Sequence, residues 1–251
     1  MKPLLKWAGG KRHIADELFS NFPVDWDKGT YIEPFIGGGA MFLHLAPKKA
    51  LIADLNIRLF GFYTHIKNSP NEVFDGIFEI SKTFDKTPLE KKKDFYLELR
   101  SRYNSSVVSS VESAILLYSL NKLCFNGLYR VNSKGFFNVP FNGKDKVKLF
   151  DSTNFQQISD YFKVNSIKLF VGDFAEVLKN AQKGDFVYLD PPYDFIEEKS
   201  SFTAYTKENF NQDDQTRLSN ICIELDNKGV FWLLSNHDTK NINTTPIIFE
   251  C

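Results

Sequence analysis

The sequence predicts an α/β protein built on a parallel sheet. Three observations predict it. Short apolar runs of the fully buried kind recur and end in an acid, as in Tyr31-Ile32-Glu33, Leu51-Ile52-Ala53-Asp54, Ile167 to Asp173 and Phe186-Val187-Tyr188-Leu189-Asp190. A triple glycine, Gly37 to Gly39, joins the first run to a helical pattern. Helical periodicity fills residues 58–151, between the second run and the third, which reads as an insertion in the α/β succession.

Composition sets bounds on this reading. At 251 residues the chain can bury one full core and carry an insertion. Its 31 basic and 31 acidic residues cancel, so any surface for a polyanion must be local. The 25 phenylalanines suit a packed chain and exclude a disordered one. Cys124, Cys222 and Cys251 form no CxxC, so neither a disulfide framework nor a zinc site is indicated, and no metal is expected. The opening Met-Lys-Pro-Leu-Leu-Lys is too soon polar for a signal peptide, and no run reads as a membrane span. A cytoplasmic protein without a membrane partner is expected.

The first motif is Leu4-Leu5-Lys6-Trp7-Ala8-Gly9-Gly10-Lys11-Arg12. A P-loop is excluded, because that pattern needs glycine where Leu5 stands and Ser or Thr where Arg12 stands. Taken alone, Trp7 reads as a core wedge and Lys11 as a surface charge. Ile14, Leu18 and Phe19 then mark an amphipathic helix.

Tyr31 to Leu43 reads as strand, glycine turn and helix, with glycines that let the backbone approach a ligand at the helix start. The dinucleotide fingerprint GxGxxG is not met, since Phe42 stands at its third glycine. Asp54 ends the next strand about 17 positions after Gly37, near the spacing of an acid that holds ribose hydroxyls. A helix-capping aspartate is the plainer alternative.

In the insertion, Leu59, Phe62, Tyr63 and Ile66 repeat helically, as do Val73, Ile77 and Ile80. Glu90 to Tyr103 is charged and helical, and its Lys91, Lys92 and Lys93 read as a solvated face. Val111 to Leu123 is a Leu-rich helix. Two aromatic, alternating runs then flank Asn132-Ser133-Lys134-Gly135, which reads as a β-hairpin. Lys122, Arg130, Lys134, Lys144, Lys146 and Lys148 lie on or near it. A nucleic-acid reader and an ordinary amphipathic hairpin are equally served by these residues.

Beyond the insertion, Ile167 to Val171 is a strand ending at Asp173 and Phe174. Phe174 can cover an adenine ring and Asp173 can accept from its amine. A helix is expected from Ala175 to Gln182. Ser200 to Thr206 reads as a polar-aromatic lid, Asp213 to Asn227 as a helix stopped by Gly229, and Val230 to His237 as a buried strand.

The fourth strand ends in Asp190-Pro191-Pro192-Tyr193. Prolines stop the ladder and hold the preceding residue extended. An acid, a carbonyl and an aromatic ring are thus fixed at the carboxyl end of a strand, where open α/β sheets bind ligands. The amine of adenine is a poor nucleophile because its lone pair is delocalised into the ring. The Asp190 carboxylate and the Pro191 carbonyl can accept its two hydrogens and localise that pair, while Tyr193 stacks on the base.

These residues in this order resemble the D12 class of DNA N6-adenine methyltransferases, near the Dam group. The resemblance runs from residue 4 to about residue 239 through KWAGGK, EPFIGGGA, LIADLN, FNGLYRVNSKGFFNVPF, VGDF, YLDPPY, SFTAY and LSNHD. It implies a class I fold that binds S-adenosylmethionine, with a catalytic domain of residues 1–57 and 152–251 and a mainly helical target-recognition domain of residues 58–151 carrying the hairpin. It implies cofactor contacts at Trp7, Lys11, Phe35, Gly37, Gly38, Gly39, Asp54, Asp173, Phe174 and Asp190. It implies catalysis at Asp190, Pro191, Pro192 and Tyr193. On the hairpin, Asn126, Leu128, Arg130 and Pro140 resemble the positions that read GATC in duplex DNA; Phe125 is a stacking wedge and Asn132 belongs to the same surface. The base is expected to flip out of the duplex. The family continues past the LSNHD strand with a helix and an antiparallel strand pair; here the chain stops sooner, so a sheet lacking those strands is expected. A DNA-binding protein without catalysis and a methyltransferase of RNA or a protein amide are the alternatives. Whether a restriction nuclease accompanies the protein is left open.

Overall fold

The computed structural model describes residues 1–192 and 210–235. Five parallel strands form one sheet: β1 (Tyr31–Glu33), β2 (Lys49–Asp54), β3 (Ser166–Val171), β4 (Phe186–Leu189) and β5 (Phe231–Leu234). Their order is β3-β2-β1-β4-β5. β1 sits between β2 and β4, with Ile32 beside Leu51 on one side and Val187 on the other. The winding reverses there, and such a reversal opens a crevice at the carboxyl ends of the strands. β1 and β4 are buried at every residue, as central parallel strands are. β5 is exposed at Phe231 and half-buried beyond it. Among the described residues it pairs with β4 alone. Tyr193, the Ser200–Thr206 stretch, Asn236, His237 and the tail with the expected missing strands lie outside the described residues.

A 3-10 turn (Arg12–Ile14) leads into the short α1 (Ala15–Phe19), and α2 (Ala40–Leu45) follows the glycines. The chain after β2 folds as α3 (Ile57–Asn68), α4 (Pro70–Lys86), α5 (Leu89–Ser105) and α6 (Val111–Leu123). Local chemistry starts these helices. Asn56 accepts from the Arg58 and Leu59 N–H groups, Pro70 opens α4, and Ser110 accepts from Ser113. α6 buries residues on most of its surface and is the axis on which α3, α4 and α5 pack. α3 also packs on β2 and β3, so one buried cluster runs from Tyr31 and Ile52 through Leu59 and Phe62 to Leu117 and Leu120. Then come α7 (Ser152–Val164), α8 (Phe174–Leu178) and α9 (Gln212–Asn227), the last begun by a reciprocal Asn211–Asp214 cap.

Three expectations change in the structure. α8 ends at Leu178 and not at Gln182: Ala181 N–H closes an i→i−3 turn on Leu178, and Gln182 and Asp185 then bind each other. The aromatic hairpin forms isolated antiparallel bridges, Val131 with Phe137 and Cys124 with Phe141, and no continuous ladder. The reason is α5. Asn104 takes both the N–H and the C=O of Phe137, and the Tyr96 hydroxyl donates to Val139 O at 2.6 Å, so side chains satisfy backbone groups that a ladder would use. Lys92 is buried at 2 % exposure and not solvated. Its ammonium lies 4.2 Å from the Phe84 ring centre and 3.2 Å from the Asp145 carboxylate.

The loops that start β1 and β4 touch backbone to backbone. A Cβ on Gly29 would lie 2.0 Å from Gly184 O, beside the 2.7 Å bond from Thr30 N–H to Asp185 Oδ1. Gly29→Ala must therefore shift the starts of two central strands and should cost about 1–3 kcal/mol, the range of core overpacking. Gly10→Ala, whose Cβ would meet Trp7 O at an ordinary 3.4 Å, should be near neutral. Urea denaturation of both variants checks the contrast.

Candidate active site

The predicted Asp54, Asp173, Phe174 and Asp190 stand at or just past the carboxyl ends of β2, β3 and β4. Asp190 follows β4, and Lys11 reaches it from the N-terminal segment: Nζ donates to Asp190 Oδ1 at 2.8 Å and to Gly9 O at 3.0 Å. The two side chains are only 9% and 18% exposed. Lys11 is thus no surface charge. An ion pair this dehydrated holds its geometry, because losing either partner leaves a charge uncompensated.

Asp54, at the end of β2, is fixed by backbone groups. Its Oδ2 accepts from Gly37 N–H at 3.0 Å and its Oδ1 from Asn56 N–H at 2.9 Å. The Tyr63 hydroxyl donates to Gly37 O at 3.1 Å. The glycine turn is therefore clamped at both backbone groups of Gly37. Gly37 and Gly39 have φ of 48° and 69°, in the left-handed region that glycine adopts at no steric cost. Their lack of a side chain also admits protein groups: a Cβ on Gly37 would lie 2.8 Å from the Trp7 ring, one on Gly38 3.0 Å from Trp7 Cβ, and one on Gly39 2.8 Å from the Tyr63 hydroxyl. Trp7 is half-buried, lies against this loop, and stacks on Tyr129 with centroids 5.1 Å apart and planes 23° apart.

Glu33, at the end of β1, has no role in the sequence reading and is the buried acid of the site, 2% exposed. It accepts a 2.7 Å bond from the Tyr31 hydroxyl, two residues back on the same strand face. Burial pushes its carboxyl up to about 8, helped by the charges of Asp190 and Asp54 and opposed by the Tyr31 bond. The sequence signal was an acid set inside the apolar run Tyr31-Ile32-Glu33-Pro34-Phe35-Ile36.

Asp173 and Phe174 stand at the end of β3. Asp173 caps α8 by accepting from Ala175 N–H at 3.0 Å. The buried Phe174 ring lies 5.4 Å from Phe35 and 5.6 Å from Phe210. Arg217, on α9, also meets this pair; it had no sequence signal, as a lone cation on a polar helix face.

The hairpin segment is anchored next to the site. The Asn121 side chain bonds the N–H and C=O of Lys6 and also the Gly127 carbonyl. Phe125, Asn126, Leu128 and Pro140 are exposed, Phe125 by 50%. Asn126 has φ 54°, a left-handed conformation in which Asn is enriched. Arg130 donates through Nε to Asn138 Oδ1 at 2.7 Å and through Nη2 to Asn138 O at 3.4 Å. Asn132 Oδ1 accepts from Lys134 and Phe136 N–H, which closes the turn. Tyr193 lies outside the described residues; Pro191 is buried and Pro192 exposed. Among the described residues no three His, Cys, Asp or Glu side chains are grouped to hold a metal ion, and no helix is long and apolar enough to cross a membrane.

A parallel sheet with acids at the ends of β1, β2, β3 and β4 around its winding reversal defines an α/β enzyme with its site at the switch point. Comparison with known proteins is more specific. The chain belongs to the D12 class N6 adenine-specific DNA methyltransferase family, whose model matches residues 7–246. It is 41% identical over 239 residues to a type II methyltransferase of Lactococcus lactis subsp. cremoris, covering 94% of this chain and 81% of the relative. It is 39% identical over 245 residues to a type II methyltransferase of Methanocaldococcus jannaschii, covering 94% and 84%. A DNA adenine methylase of Haemophilus influenzae is 35% identical over 240 residues, covering 95% and 80%.

Glu33 couples this site to stability. The folded chain keeps the Glu33 proton up to about 8, whereas the unfolded chain loses it near the ordinary carboxyl value of 4.5. The native state binds the extra proton in that window, so this contribution is fully present below it and is lost as pH rises through about 8. Glu33→Gln should remove that decline. Urea midpoints at pH 5, 6.5 and 8 should show wild type losing stability relative to the variant as pH rises; parallel curves would refute a protonated Glu33.

Proposed function

We propose that this chain transfers a methyl group from S-adenosylmethionine to N6 of adenine within GATC in duplex DNA, acting on a base flipped out of the helix. The observation that carries the reading is the Lys11–Asp190 pair at the switch point, beside the clamped glycine turn. The groups around it suit an adenosine with an amino-acid tail. Asp54 faces the ribose hydroxyls, and since carboxylate oxygens accept more than one bond, this role is compatible with its hold on Gly37. Asp173, Phe35 and Phe174 suit the adenine, and Gly37 to Gly39 with Trp7 and Lys11 suit the charged tail. The cofactor supplies an electrophilic methyl group when bound.

The remaining work falls to the chain. Asp190 and the Pro191 carbonyl accept from the amine of the flipped base and free its lone pair for attack, and Tyr193 stacks on that base. Lys11 fixes one Asp190 oxygen from the protein side, so the acceptor is oriented before the base arrives. A base paired in the duplex keeps its amine out of reach, which supports flipping.

The exposed Phe125, Asn126, Leu128 and Pro140 and the half-buried Arg130 form the reading surface, with Phe125 as the wedge. Asn138 engages the Nε side of Arg130, which sets the guanidinium plane and leaves Nη1 and the second Nη2 hydrogen for guanine O6 and N7. The Asn132 oxygen serves the turn, so its part in recognition is through its amide nitrogen. The protein acts in the cytoplasm, where its DNA is. DNA from a methylation-deficient host expressing this chain, digested with nucleases sensitive to adenine methylation at GATC, tests the whole reading. Labelled methyl transfer to duplex DNA, RNA and protein separates it from the RNA, protein-amide and non-catalytic alternatives.

Asp190→Ala should lower kcat by at least about 10²-fold, as loss of a preorganised polar group does, with duplex affinity little changed. A folded variant with near wild-type turnover would sink the mechanism. Arg130→Ala should lose about 1–3 kcal/mol of discrimination at one guanine of the site. Asn138→Ala should shift specificity the same way by less. Lys144→Ala, if that lysine holds a phosphate, should instead weaken all sequences alike and lower the salt slope by about one. Methylation rates on GATC and on single-base variants of it distinguish these outcomes.

A further inference from the structure

Arg217 makes three contacts at once. Its Nη2 donates to Asp173 Oδ1 at 2.6 Å, and its Cζ stands 4.9 Å from the centre of the Phe174 ring. Its Nη1 meets Asp214 Oδ1 at 2.7 Å. Asp173 and Phe174 are the two groups assigned above to the adenine end of the cofactor, one for the amine and one for the ring. A planar guanidinium over an aromatic face, with an N–H on a carboxylate, presents to them the same chemistry as an aminopurine. Phe174 is only 4% exposed, with Phe35 and Phe210 packed against it. An adenine ring reaches its face only if a neighbour gives way. Arg217 gives way most readily, because its side chain is 47% exposed and water competes for its contacts.

We propose that Arg217 competes with the adenine end of the cofactor for Asp173 and Phe174, and tunes cofactor affinity because it must be displaced on binding. The inference rests on the adenine reading of those two residues. Displacement leaves the fold intact: Asp173 keeps its cap on Ala175, and Arg217 keeps Asp214 on its own helix. A half-exposed ion pair plus a cation–π contact corresponds to roughly a three- to thirty-fold factor in an equilibrium.

The test is calorimetric titration of wild type, Arg217→Ala and Arg217→Lys with S-adenosylhomocysteine, which has no net charge, and with S-adenosylmethionine. Arg217→Ala should bind both more tightly, by roughly three- to thirty-fold. Arg217→Lys should fall between, because a compact ammonium cannot cover the ring and meet the carboxylate together. Raising salt should bring the wild-type affinity for S-adenosylhomocysteine toward that of Arg217→Ala, as the competing pair is screened. Equal or weaker binding by folded Arg217→Ala overturns the proposal and leaves the cofactor reading standing. Failure of wild type to bind either ligand overturns both. Thermal melts establish folding, and Arg217→Gln takes the place of the alanine variant if the latter does not fold.

Discussion

Lys11 and Asp190 are 2.8 Å apart and join the first residues of the chain to the end of the fourth strand. Much of the site depends on this pair. Removing one partner of a well-buried pair costs about 3–5 kcal/mol, because the other charge stays buried without a counter-charge. The N-terminal segment is therefore pinned over the crevice, and it brings Trp7 with it. Trp7 in turn rests on Gly37 and Gly38, where any side chain would collide.

The same segment ties the site to the hairpin segment. Trp7 stacks on Tyr129, and Asn121 holds the backbone of Lys6 on one side and Gly127 on the other. The residues flanking Asn126 and Leu128 are thus in register with the glycine turn through two contacts, one aromatic and one polar. α3 adds a third link, since it packs against both the sheet and α6. A DNA adenine methyltransferase needs this rigidity, because small displacements of positioned groups cost large factors in rate.

Three carboxyl groups converge on the crevice, and each is accommodated differently. Asp190 faces an ammonium, Asp54 takes backbone N–H groups, and burial pushes the Glu33 carboxyl up to about 8. Like charges at close range would otherwise oppose folding, and these three solutions are the ones available to a buried acid.

The sequence by itself determined the strands, most of the helices and the acids at the strand ends, because all of these are local. Apolar runs, Asn56, Ser110 and Asp151 before helices, and the prolines after Asp190 act within a few residues. Only the tertiary structure decided how distant polar side chains are used. Nothing local shows that Lys92 is buried on Phe84, that Asn104 replaces a ladder at Phe137, or that Arg217 covers Phe174. Glu33 was visible as an acid in an apolar run, but the upward push on its carboxyl depends on burial and on Asp190 and Asp54 arriving beside it. A side chain's partner is set by packing across the chain, and the strength of a charge by the water that packing excludes.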